Sequence, residues 1–145
     1  MEEEDWSSGK KEEETTLDLL IDGAWKKIDT HKGYSAGVGW VIKRNNLILK
    51  KGISKVEAAT PLQAEAMALW NGIQDCMGYG NAIQVHTDSR ELVLACRKPN
   101  LCCIYISNIM MDVLACIDKL SFFRIVKVSK DKVKEAHTLT VECRG

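Results

Sequence analysis

Long apolar runs are missing from this chain. Although 46% of its 145 residues are hydrophobic, none of the runs approaches the roughly 18 residues a membrane-spanning helix needs. The apolar residues are spread in short stretches, which suits a single core of one domain. Paired cysteine spacing is missing too. Cys76, Cys96, Cys102, Cys103, Cys116 and Cys143 form no C-x-x-C motif and lack the histidine spacing of a zinc site. A structural metal or disulfide framework is thereby disfavoured, and the cysteines read as free thiols, several of them buried as small apolar residues. There is no internal repeat. The opening "MEEEDWSSGKKEEETT" is acidic and polar, and so reads neither as a secretory signal nor as a basic transit peptide. An intracellular protein is expected, with nucleus and cytoplasm not distinguished.

A net charge of zero conceals an asymmetry. Residues 1–16 hold seven acids and two lysines, net −5, so residues 17–145 carry 18 basic and 13 acidic residues, net +5. The acidic segment has no apolar periodicity and is expected to be a disordered tail (1–16) on a folded domain (17–145). Deleting it should change stability by less than about 0.5 kcal/mol. A mildly basic body is compatible with a polyanionic partner without establishing one.

Periodicity then sets the element order. In "TLDLLIDGAW", Leu17, Leu19 and Ile21 alternate with Asp18, Leu20 and Asp22, the pattern of a strand, and Gly23 is expected to break it so that Asp22 closes the strand. "AGVGWVIKR" and "NLILKKGISKV", joined at "KRNN", predict two further strands of an antiparallel meander, with Gly37 and Gly39 marking a bulge or a close backbone approach. The period changes at "TPLQAEAMALWNGIQDCMGYG". Thr60 is the N-cap, Pro61 the first helical residue and Gln63 completes a capping box, while Leu62, Ala66, Leu69, Ile73 and Met77 form the apolar stripe. Glu65 stands beside that stripe, one turn into the helix.

"AIQVHTDS" predicts a fourth strand and "SRELVLACRK" a helix, with Asp88 where one hands over to the other and Ser89 available to cap. Pro99 and Asn100 precede a second helix, "YISNIMMDVLACIDKL"; "FFRIVKVSK" is a fifth strand and "KEAHTLTVECRG" a last short helix. The order predicts an α/β or α+β fold on five strands, the last two joined by helical crossovers and so parallel to a neighbour. If the fourth strand lies beside the first, Asp22, Glu65 and Asp88 converge. Three carboxylates in one place are costly without a cation, and hard divalent ions such as Mg²⁺ take oxygens of this kind.

"IDGAW", "AGVGWVI", "TPLQAEAMAL", "VHTDS" and "AHTL", in this order, resemble the ribonuclease H type 1 domain, and within it the plant reverse-transcriptase-like group found alone or at the ends of retrotransposon polyproteins. The resemblance runs from about Leu17 to the C-terminus. It implies a ribonuclease H-like fold: a five-stranded mixed sheet, a three-strand antiparallel meander plus two parallel strands, flanked by helices. It also implies a two-metal site for Mg²⁺ or Mn²⁺ with Asp22, Glu65, Asp88 and His137 as catalytic ligands. His137 stands where most of the family has Asp, as is common in the plant-like group. Val133 departs from the group's usual Asn, and the basic handle of some bacterial relatives looks absent.

The implied activity is endonucleolytic cleavage of the RNA strand of RNA–DNA hybrids by a monomer. The alternatives are a binding module that kept the fold and lost turnover, which His137 and Val133 favour, and a protein-interaction domain regulated through the acidic tail. Other residues carry plainer expectations: Trp25 and Trp40 pack in the core, His86 is a packed strand histidine, and His31 is exposed in its turn. Lys127, Lys130, Lys132 and Lys134 are divided between a solvated strand end and phosphate contact.

Overall fold

The computed structural model describes residues 5–8, 15–27 and 34–144. In chain order the elements are β1 (Asp5–Ser7), β2 (Leu17–Lys27), β3 (Tyr34–Arg44), β4 (Leu47–Val56), α1 (Pro61–Cys76), β5 (Ala82–Thr87), α2 (Arg90–Arg97), α3 (Ile104–Asp118), β6 (Phe122–Lys127) and α4 (Lys134–Arg144), with single 3-10 turns at Pro99–Leu101 and Lys130–Val133. The strands form one sheet in the order β1-β6-β5-β2-β3-β4. β2, β3 and β4 are the expected antiparallel meander, and β5 lies parallel to both β2 and β6. Asn45 and Asn46 make the β3–β4 turn at φ 51° and 66°, a backbone region that asparagine tolerates better than most residues.

Two apolar layers hold the sheet. On one face Leu19, Ile21, Val38, Ile83 and Phe123 pack against Leu69 and Ile73 of α1 and Met110 and Val113 of α3, all essentially inaccessible. Burying each such side chain contributes roughly 1.5–3 kcal/mol before the cost of ordering the chain. On the other face α4 covers a smaller cluster of Leu20, Val41, Val133 and Ala136. Trp40 is buried against Gly52 and donates to Asp75 Oδ2 at 2.6 Å; Trp25 is half-buried and donates to the Ala58 carbonyl at 2.9 Å. Both tryptophans pack as expected. Cys76 and Cys96 are buried free thiols, and burial pushes each up to about 12.

Three expectations need correction. The sheet has six strands, because Asp5–Ser7, inside the segment expected to be disordered, pairs antiparallel with β6. β2 does not stop at Asp22 but runs through Gly23 to Lys27, paired with β3 throughout. A glycine weakens a strand only when nothing else rewards it, and here its missing side chain admits a helix. Finally, the bulge alternative for Gly37 and Gly39 fails: both pair in register with β4, and the register irregularity of the meander falls between Ile42 and Lys43. The expectation for His31, and that for residues 1–4 and 9–14 of the tail, lie outside the described residues.

The extra strand has specific attachments. Trp6 stacks at a tilt on Phe123 with centroids 5.9 Å apart, Arg124 Nη2 lies 2.6 Å from Asp5 Oδ2, and Arg97 Nη2 donates to the Asp5 carbonyl at 2.6 Å. Trp6→Ala is therefore expected to cost about 1–3 kcal/mol, less than for a fully buried tryptophan because Trp6 is only partly covered, and the expectation that the acidic segment can be deleted at almost no cost is corrected by these attachments. A urea midpoint that moves by less than the equivalent of about 0.5 kcal/mol would show that β1 is not held in solution.

Candidate metal centre

Each acid is placed by a different element. Asp22 is mid-strand on β2 and 1% exposed. Its neighbour Gly23 sets how close α1 can come: a Cβ there would lie 2.7 Å from the Ala64 carbonyl carbon and 2.9 Å from the Glu65 nitrogen. With no side chain between them, the helix rests directly on the strand, and the Gly23 N–H donates to the Glu65 carboxylate. The start of α1 is fixed by its caps. The Gln63 N–H donates to Thr60 Oγ1 at 3.1 Å, and the Ala59 N–H to Gln63 Oε1 at 2.5 Å, one residue upstream of the usual capping-box donor.

At the end of β5, Ser89 is the N-cap of α2. The Leu92 N–H donates to Ser89 Oγ at 3.2 Å, and the Ser89 N–H to Thr87 Oγ1 at 3.1 Å. The backbone around Asp88 is thus pinned without its carboxylate, which is left to face the other acids. One oxygen from each of Asp22, Glu65 and Asp88 lies within 4.8 Å of the others.

The electrostatics of this cluster are unfavourable on their own. Glu65 Oε1 is buried without a hydrogen-bond partner. Burial, and then the charges of Asp22 and Asp88, hold the Glu65 carboxyl well above the usual carboxylate range, opposed in part by the Gly23 N–H and the Lys130 charge. A divalent cation relieves both problems at once. The donor set is all hard oxygen, the kind such ions take, and its three atoms lie within 4.8 Å of one another. The residues present fit such an ion.

His137 comes from the first turns of α4. That helix is seated by Val133 and Ala136 in the second apolar cluster and by an ion pair of 2.7 Å between Lys43 and Glu135. His137 Nδ1 lies 2.7 Å from Asp22 Oδ2, so the structure brings it to the cluster's edge, but it is not among the atoms that converge within 4.8 Å. His86 is held elsewhere, with Nε2 2.9 Å from Asp18 Oδ1. Lys130 reaches the cluster from the β6–α4 connection, Nζ 3.8 Å from Asp88 Oδ2. Sequence patterning grouped that lysine with three others and could not single it out. The importance of Gly23 was also missed there, since the only signal was its position directly after an acid.

Comparison with known proteins supplies a frame for this geometry. A family model described as reverse transcriptase-like matches residues 20–143. No curated protein matches. Among solved structures, ribonuclease H1 from the halophilic archaeon Halobacterium salinarum is similar at 20% identity, TM-score 0.74, over 88% of this chain and 96% of that one. LC11-RNase H1 in complex with an RNA/DNA hybrid is similar at 18% identity, TM-score 0.71, over 88% and 95%. The foamy viral protease-reverse transcriptase in complex with double-stranded DNA is similar at 14% identity, TM-score 0.75, over 90% and 94%. These likenesses establish a mixed α/β fold of the ribonuclease H type.

Proposed function

The chain belongs to the reverse transcriptase-like family, and from that premise we propose that it is a metal-dependent endonuclease acting on the RNA strand of RNA–DNA hybrids. One observation carries the reading. Carboxylates from three separate elements converge within 4.8 Å, with a buried Glu65 oxygen that no protein group satisfies. A fold maintains such an arrangement at a cost in stability, and a bound cation gives that cost a use. The hybrid-bound relative supports the substrate class, and the double-stranded DNA in the viral one supports a nucleic-acid partner more generally.

In this reading Asp22, Glu65 and Asp88 hold Mg²⁺ or Mn²⁺, with His137 at the margin as a fourth ligand. Bound divalent ions supply charge for activating water and for stabilising the leaving oxygen of a phosphodiester. The chain's own contribution is placement. Asp22 is fixed in a strand, Glu65 is pressed onto the strand's backbone through Gly23, and Asp88 is presented at the end of β5. All three belong to one copy, so a monomer suffices. Discrimination of hybrid from DNA duplex would draw on the shallow minor groove and the 2′-hydroxyls rather than on base sequence.

The test is cleavage of an end-labelled hybrid with Mg²⁺ and with Mn²⁺, beside a DNA duplex of the same sequence. The RNA strand of the hybrid is expected to be cut and the DNA duplex left intact, and Asp88→Asn should abolish cutting without unfolding the protein. A second reading, a binding module with little or no turnover, is favoured by the hydrogen bond from His137 to Asp22, which occupies one of the two Asp22 carboxylate oxygens. Hybrid binding without cleavage in either metal would establish that reading instead.

A further inference from the structure

We propose that Lys130 is a positioning residue of the acid cluster: its ammonium balances Asp88 before divalent ions bind, and moves to a phosphate oxygen of the nucleic acid once they do. The inference rests on the metal-dependent reading above and adds a residue to it.

The lysine's backbone is fixed and its head is not. The Val128 N–H donates to the Thr87 carbonyl at 2.8 Å, which carries the β5–β6 pairing up to the residue before Asp88. The Lys130–Val133 turn follows, closed by a bond of 3.0 Å from the Lys132 N–H to the Ser129 carbonyl, and its last residue, Val133, is wholly buried beneath α4. The turn therefore cannot drift from the acids. By contrast the Lys130 side chain is 63% exposed, with Nζ 3.8 Å from Asp88 Oδ2. Its charge also bears on Glu65, against the repulsion of Asp22 and Asp88.

An ammonium in that position and a divalent ion on Asp88 repel each other, so the two states exclude one another. Once displaced, a flexible four-carbon stem anchored at the mouth of the cluster suits a single-point contact with a phosphodiester oxygen. Val133 then acquires a purpose: it is the apolar peg that keeps this turn in place.

The experiment compares wild type with Lys130→Met, which keeps the length of the stem without the charge, and Lys130→Arg, which keeps the charge. Mn²⁺ binding is measured by calorimetry without nucleic acid. An ion pair this exposed shifts an equilibrium by a few-fold and a dication feels it doubly, so Lys130→Met should bind Mn²⁺ roughly three- to tenfold more tightly. Lys130→Arg should stay close to wild type. For hybrid, Lys130→Met should raise KM (or Kd where turnover is absent) and reduce the slope of its logarithm against log salt by about one; Lys130→Arg should restore that slope. Unfolding midpoints of all three should coincide. Unchanged or weaker Mn²⁺ binding in Lys130→Met, while Asp88→Asn loses it, overturns the inference and leaves the metal centre standing. An unchanged salt slope overturns the phosphate contact. A wild-type protein that binds no Mn²⁺ removes the metal centre and this inference together.

Discussion

Glu65→Gln should lower hybrid cleavage by more than about a hundredfold and at the same time raise the melting temperature in metal-free buffer at pH 7. The first effect follows from ligation. Changing a residue that merely supports a metal ligand costs about 10–100-fold, and Glu65 is itself one of the three converging acids. The second follows from repulsion. Gln is nearly isosteric, can keep the bond from the Gly23 N–H through Oε1, and carries no charge to repel Asp22 and Asp88. Relief of a buried, partnerless carboxylate oxygen is worth about 1–2 kcal/mol, or roughly 3–8 °C for a chain of this size.

The pH dependence has a definite sign. Because the folded-state value of Glu65 is raised well above normal, the folded protein holds its proton longer than the unfolded chain does. Below the unfolded value the residue costs nothing; as pH rises from there through the folded value, stability is lost. Metal-free wild type should thus lose stability with rising pH over that interval, and Glu65→Gln should not, so the gap between them widens toward neutral pH. Added Mn²⁺ should raise the wild-type melting temperature and leave the variant nearly unmoved. Equal metal-free midpoints across pH, or a variant that keeps a tenth of the wild-type rate, would remove Glu65 from the site.

The acids were legible in the sequence because each stands next to a punctuation mark. Asp22 precedes a glycine, Glu65 follows a capping box, and Asp88 precedes the N-cap Ser89. The resemblance to a known domain tied those three marks together. What was not legible depends on contacts between segments distant in the chain. Gly23 looks like a strand breaker until α1 is laid on it. Trp6 is a lone aromatic among acids, and it packs against a core built from distant segments, Phe123 among them. Likewise, four lysines near the last helix look alike by spacing, and it takes the 3-10 turn at Lys130–Val133 to aim one of them at Asp88. Period and capping are local signals, so they locate elements and their ends. They carry no information on which elements meet.

His137→Asp should convert a protein that works better with Mn²⁺ than with Mg²⁺ into one supported by Mg²⁺, with a roughly tenfold or greater rise in the Mg²⁺-dependent rate. Imidazole suits later transition metals, whereas Mg²⁺ is a hard octahedral ion that takes oxygen. An imidazole also brings no negative charge, and here its Nδ1 is spent on Asp22 Oδ2 at 2.7 Å. The aspartate is shorter, frees that oxygen and adds a fourth carboxylate at the cluster. Without metal this is a further repulsion beside a carboxylate only 1% exposed, so the variant should melt lower than wild type in chelator. With Mg²⁺ the order should reverse, because tighter binding to the folded state stabilises it by mass action. Cleavage and melting are to be measured for both forms with Mg²⁺, Mn²⁺ and chelator over pH 5.5 to 8. If both forms share one metal preference, His137 is a hydrogen-bond partner of Asp22 and not a metal ligand.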